Sequence, residues 1–298
     1  MIKNRLINIE SSSFCNANCA MCPRDVIKEK GHMSPAMASI IAQKIKDVPN
    51  IYEVSISGRG EPSLNPNIEK LLEIFSSLPN LALVTTGTRV NDSILEALNK
   101  YVSKLRLSIS SLAPDIFQKV HTTLDYNKVW GNIENIIQTY DKNKIVIHLV
   151  GGPVIYPGLE QTIAFFKERG VDNIKLFPLW NRGGSKSQNS EQLLRYSLID
   201  KYGLIAPESD YLSKSELESI QNKPDFCPVG DSSLCINFKG EIVGCFQDFA
   251  YDNIVGKITD DTLDINNLLL TRRAILGKMN VCKKCNSFRE LVGKNAQR

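Results

Sequence analysis

No apolar run in this chain of 298 residues approaches the length that spans a bilayer, roughly 18 residues. The N-terminus, MIKNRLINIE, lacks an apolar core leading to a small-residue cleavage site, so no secretory signal is predicted. Lys and Arg exceed Asp and Glu by only four. They are scattered, without the dense tract or basic-aromatic stripe that follows a nucleic-acid backbone. Internal repeats and low-complexity tracts are absent as well. Together these absences predict a cytoplasmic protein with no membrane and no nucleic acid among its partners. The balance of 42% apolar and 23% charged residues suits one large domain, or a large and a small one, with a sizeable core.

A fourth cysteine is missing where one is wanted. Cys15, Cys19 and Cys22 lie within FCNANCAMC, and no further cysteine appears for two hundred residues. Cys227, Cys245, Cys282 and Cys285 form a second group, with Cys235 left over. In a reducing compartment such clusters point to metal or catalysis before disulfides.

Apolar β-rich runs alternate with helical patterns. Strands are predicted near 5–12, 51–57, 81–86, 104–110, 144–150 and 172–178, and helices near 34–47, 65–77, 91–100, 127–141 and 159–169. Six such units argue for a parallel α/β sheet curling into a partial (β/α)6 TIM-like barrel, short of the eight of a closed one. Residues two apart share a strand face. One face collects Asn8, Glu10, Glu53, Ser55, Ser57, Arg106, Ser108, Ser110, His148 and Lys175, while the other is Ile, Leu and Val. Sheets of this kind have both faces covered, so the polar stripe predicts an open barrel lining a cavity; the rival is one solvated face.

The reading divides the chain into a barrel over 1–185, a linker or helical segment over 186–226, and a small α+β domain over 227–298. In the last, LCINFKG and EIVGCF form a hairpin turning at Lys239-Gly240, NIVGKI supplies another strand, and 264–277 is helical. A core that thin calls for a structural group held by its four cysteines.

A Cys-x3-Cys-x2-Cys loop after the first strand places three thiolates at the carboxyl end of the sheet, where open α/β proteins bind ligands. Zinc and ordinary iron-sulfur sites want four ligands, whereas three thiolates on a cubane leave one iron open. The alternatives are a zinc site completed by His32 and three unrelated buried cysteines. With SGRGEP following the second strand, the sequence resembles a radical S-adenosylmethionine (SAM) enzyme. That resemblance implies a 4Fe-4S cluster on Cys15, Cys19 and Cys22, with SAM on its open iron and Met21 before the third cysteine. It assigns Gly58, Gly60 and Glu61 to the Gly-Gly-Glu-Pro signature, with Glu61 on the methionine ammonium. It also gives Thr86 a place in the turn after the third strand, and Ser108 and Ser110 places beside the ribose; ordinary solvated serines are the alternative for that pair.

Cys227, twelve residues, Gly240, four residues, Cys245 and then Cys282-Lys-Lys-Cys285 resembles the shortened SPASM, or Twitch, domain of that family. The metal ligands implied are those four cysteines on a second, auxiliary 4Fe-4S cluster, with a zinc ribbon as the alternative. The stretch Asn181 to Gly184, the twelve-plus-four spacing and Cys245-Phe-x-Asp-Phe249 are similar to family members that oxidise an aminocyclitol alcohol. Two departures are Gln247 in place of Glu and a longer segment after Gly184.

The resemblance implies an oxidoreductase that dehydrogenates a hydroxyl-bearing small molecule, a sugar or aminocyclitol, and receives single electrons from an external reductant such as flavodoxin or ferredoxin. Arg182 is the candidate for orienting the reacting oxygen, unless it is a surface arginine. The alternative outcome is epimerisation of a peptide or sugar, with Cys235 returning hydrogen, unless that thiol is only packing. A barrel beginning near residue 5 leaves no room for a preceding peptide-recognition domain, which tilts against a peptide substrate. An iron-sulfur carrier or scaffold is the non-enzymatic alternative, and it leaves the open-site loop and Glu61 unexplained.

Overall fold

A computed structural model describes residues 5–182, 192–207, 233–272 and 278–285; Cys227, Gly183 and Gly184 lie outside them. Six parallel strands, β1 (Arg5–Ile9), β2 (Ile51–Ile56), β3 (Leu81–Thr85), β4 (Lys104–Ser108), β5 (Ile145–Val150) and β6 (Ile174–Phe177), pair in chain order. The helices between them are α1 (Pro35–Ile45), α2 (Ile68–Phe75), α3 (Asp92–Tyr101), α4 (Pro114–Val120), α5 (Tyr126–Thr139) and α6 (Leu159–Glu168), followed by α7 (Gln192–Tyr202). Each predicted strand forms, trimmed at its ends by up to three residues. Helix starts are fixed by side chains: Ser34, Asn91 and Asp125 accept hydrogen bonds from the backbone N–H groups of Met37, Ile94 and Lys128.

The outward face of the sheet is the apolar one. Ile7, Ile9, Val54, Ile56, Leu81, Leu83, Leu105, Leu107, Ile147 and Leu149 are buried. Against them helices such as α2 turn a matching stripe, Ile68, Leu71, Leu72 and Phe75, each worth about 1.5–3 kcal/mol of burial. The inward face is polar, and low in the barrel it is closed by ions. Arg106 donates to Glu53 at 2.6 Å and Lys104 at 3.1 Å. Burial alone would raise the Glu53 pKa, but the hydrogen bond and charge of Arg106, helped by Lys104, hold it below the ordinary carboxylate value. The pair's stabilisation is therefore full above the unfolded pKa and is lost as pH falls through the lowered folded value. Arg106→Met is expected to cost about 1–3 kcal/mol by leaving the buried Glu53 carboxylate to Lys104 alone among its described ion-pair partners, read as a fall in denaturation midpoint at pH 7 that shrinks at acid pH.

Beyond β1 the sheet continues. β7 (Ser233–Ile236) runs parallel to β1, with Cys235 opposite Asn8, and β8 (Glu241–Val243) and β9 (Ile254–Lys257) follow antiparallel. The result is one nine-stranded sheet. The hairpin turns at Lys239-Gly240 as the sequence predicts, Gly240 taking φ +78°, which a side chain resists. The small region adds α8 (Ile265–Arg272) and the short α9 (Asn280–Lys284). Among the described residues, no helix is long and apolar enough to cross a membrane.

Candidate functional site

Cys15, Cys19 and Cys22 are half-buried on a loop tied down from three sides. Phe14 O accepts from Glu61 N at 2.8 Å, Ser13 N donates to Gly31 O, and Ala20 N donates to Val120 O at the end of α4. Thr122 and Thr123, just beyond α4, bond the carbonyls of Asn18 and Asn16. His121 brings Nδ1 to 3.1 Å from the Cys19 sulfur. Burial pushes the Cys15 thiol up to about 11 and, with the charge of Cys22, the Cys19 thiol up to about 12; a metal centre, which takes thiolates, reverses this. Among the described residues, no three His, Cys, Asp or Glu side chains stand close enough to hold one metal ion. Three cysteine sulfurs on one loop are the donor type that an iron-sulfur cluster takes.

Gly60 and Glu61 lock the turn after β2 onto that loop. A Cβ on Gly60 would fall 2.3 Å from Ser12 O and 2.4 Å from Phe14 O, and one on Gly58 would meet the Glu10 side chain. Both glycines thus serve close packing within the protein. The Glu61 carboxylate accepts from Thr85 Oγ1 at 2.6 Å, Ser63 Oγ at 2.8 Å and Ser63 N at 3.1 Å on one oxygen. On the other it accepts from Thr86 N at 2.9 Å and Thr86 Oγ1 at 2.8 Å. Thr86 therefore reaches Glu61 directly. Ser63 and Thr85 join the same site; Thr85 lies within the predicted strand and gave no separate signal.

The polar stripe lines a cavity of about 310 Å³, as the alternation predicts. Its wall includes Asn8, Glu10, Glu53, Ser55, Ser57, Arg106, Ser108 and His148, with Cys235 contributed by β7. Lys175 and Ser110 are buried but do not line it. Four buried polar atoms of its lining residues, Glu53 Oε1, Arg59 Nε, His148 Nε2 and Trp180 Nε1, have no hydrogen-bond partner among the described residues. Met21 is half-buried in the cysteine loop, outside the cavity wall.

The cavity mouth is aromatic and cationic. Trp180 and Arg182 enter after β6, and Phe246 and Phe249 from the loop after β8. Arg182 has φ +49°, uncommon for a side-chain-bearing residue, and its guanidinium lies 5.5 Å from the Trp180 ring centre and 5.6 Å from that of Phe249. Burial lowers its pKa, against the negative charge of Cys22 and of Cys285, so the cation stands within electrostatic reach of both cysteine groups. Its neighbour Asn181 donates to Lys284 O at 2.6 Å, beside Cys285. Cys245 is buried, Cys282 and Cys285 half-buried. Next to Cys245, the Gln247 side chain is 1% exposed, yet neither its amide oxygen nor its nitrogen has a partner. Orphaned buried polar atoms beside a thiol fit a further group at that position.

Residues 9–166 match the model of the Radical SAM superfamily. Over 296 residues the chain is 23% identical to S-adenosyl-L-methionine-dependent 2-deoxy-scyllo-inosamine dehydrogenase of Niallia circulans, covering 95% of this chain and 92% of that protein. Over 145 residues it is 26% identical to GTP 3',8-cyclase of Desulforamulus reducens, covering 45% of this chain and 44% of the other; the chain spans about half the length or less of several curated relatives it matches. In fold it is similar to Streptococcus suis SuiB bound to precursor peptide SuiA, with a TM-score of 0.74 at 17% identity over 98% of this chain and 71% of that one. The match covers more than half of the chain and takes in most of the parallel barrel, up to α6: the protein belongs to the Radical SAM superfamily.

Proposed function

We propose that this protein dehydrogenates a hydroxyl-bearing small molecule, a sugar or aminocyclitol, held in the barrel cavity between the two cysteine groups. One observation carries the reading: the cavity is walled by hydroxyls and carboxylates, and its mouth is formed by the Arg182 segment and the Cys245 loop. Cys15, Cys19 and Cys22 would hold a cluster that with SAM would supply hydrogen-atom abstraction from carbon, and Cys227, Cys245, Cys282 and Cys285 a second cluster that would supply one-electron uptake, the hydroxyl proton passing to a base in the cavity. The chain's own residues do the rest. Glu61, accepting from Thr85, Thr86 and Ser63, is held to receive the methionine ammonium, and Ser108 faces the cavity for a ribose or substrate hydroxyl. Arg182 orients the reacting oxygen, its charge kept at the mouth by aromatic faces. Trp180, Phe246 and Phe249 exclude water.

A second reading has an observation of its own: Cys235 is buried and lines the cavity, placed to return a hydrogen atom in an epimerisation. Anaerobic reconstitution is expected to give about eight irons per chain, and the reduced protein to release 5'-deoxyadenosine from SAM; intact clusters without that product would leave a carrier or scaffold. A panel of sugars and aminocyclitols is expected to yield a product lighter by two hydrogens. Unchanged mass with solvent hydrogen incorporated, lost in Cys235→Ala, would move the assignment to epimerisation.

A further inference from the structure

We propose that Arg59 is a positioning residue that couples the SAM site to the auxiliary cysteines, so that occupancy of one changes the properties of the other. The inference rests on the two-cluster part of the function proposed above and is independent of which substrate is oxidised. Arg59 sits between the two signature glycines, and its side chain is 3% exposed. A guanidinium so buried needs strong partners. Among the described residues its nearest carboxylate, Glu10, is 3.9 Å away, loose for an ion pair. The firm contacts lie across the mouth: Nη2 donates to Asp248 O at 2.6 Å, and the rings of Tyr251 and Phe249 stand 4.5 and 5.6 Å from the charge. Nε has no partner.

The auxiliary side of this contact is rigid. Asp248 N bonds Cys245 O, Gln247 N points at the Cys245 sulfur at 3.4 Å, and the Asp248 carboxylate gathers the N–H groups of Asp252 and Asn253. Tyr251 O–H closes the circuit by donating to Glu10, whose other oxygen accepts from Arg59 N at 2.8 Å. On the SAM side, Glu61 is two residues away, pinned by the backbone N–H groups of Ser63 and Thr86. A carboxylate offers about four lone-pair sites, and Glu61 already accepts from five donors. An arriving ammonium must displace some of them, and the turn carrying Arg59 moves with that carboxylate. The same segment touches the first cysteine loop through Gly60. A change at Glu61 therefore reaches Asp248 and Cys245 through one buried side chain, and linkage makes the effect reciprocal.

The test uses the holoprotein with both clusters and S-adenosylhomocysteine, which keeps the amino and carboxylate groups but lacks the methyl group that makes SAM a sulfonium. The midpoint potential of the C-terminal centre, followed by its own paramagnetic signal, is expected to shift on adding saturating S-adenosylhomocysteine. A tenfold coupling is about 59 mV for one electron. Arg59→Met is expected to abolish the shift and Arg59→Lys, which keeps the charge without the fork, to retain part of it. An unshifted potential in the unaltered protein with the nucleoside bound overturns the coupling, and so does a full shift in both variants. Should Arg59→Met fail to fold, the unaltered protein and Arg59→Lys still decide. About four irons per chain would overturn the two-cluster reading and this inference together, whereas eight irons without a shift would overturn only the coupling.

Discussion

Cys15→Ala is expected to abolish 5'-deoxyadenosine formation and to lower iron from about eight to about four per chain, with the C-terminal centre's signal intact. The same result is expected for Cys19→Ala and Cys22→Ala, because with three protein ligands none is spare. A four-ligand site that loses one thiolate can retain its ion; a cluster on three thiolates that loses one has an iron with no protein ligand beside the iron already open. The loop itself is expected to survive the change. Its shape is set by Phe14 O to Glu61, by Ser13 to Gly31 and by Thr122 and Thr123 below α4, none of which involves a sulfur. Thermal stability without metal should therefore stay near that of the parent while chemistry disappears. Cys245→Ala is the complementary case: 5'-deoxyadenosine still forms but the oxidised product does not. An alanine variant of the first loop that still cleaves SAM would remove the basis for assigning the cluster there.

What could be read from the sequence follows from locality. β1 to β6 and five of the six intervening helices rest on periodicity within a few residues, and the polar stripe becomes a cavity because alternation fixes which side chains share a face. The turn at Gly240 is equally local. α4 escaped because it is seven residues long and its N-cap, Ala113, offers no capping side chain; yet it holds the cysteine loop through Val120 and His121. Pairings across long sequence separations left no trace in local patterns: β7 beside β1, Arg59 on Asp248, Asn181 on Lys284. The signature glycines were legible as close-approach positions, but what they approach, Glu10 and the backbone of residues 12–14, depends on the assembled barrel. Thr85 and Ser63 belong with these, being ordinary polar residues until the fold turns both toward Glu61.

Glu61→Gln is expected to weaken S-adenosylhomocysteine binding about 10- to 150-fold while leaving iron near eight per chain, the range following from about 1.5–3 kcal/mol for one charge-assisted hydrogen bond. The carboxylate's five donors include two that cannot turn, the N–H groups of Ser63 and Thr86, one on each oxygen. An amide must place its own NH2 against one of them. Whichever way it flips, a buried N–H then faces another N–H, at a cost of about 1–3 kcal/mol, so a lower unfolding midpoint is expected alongside the weaker binding. Thr85→Ala separates the two effects. It removes the 2.6 Å bond but keeps the negative charge and both backbone donors, so a binding loss well under that of Glu61→Gln is expected. Equilibrium titration of the reconstituted anaerobic protein measures both. Equal affinity in Glu61→Gln and the parent would show that no cation meets this carboxylate, and the ammonium would have to be sought elsewhere along the mouth of the barrel.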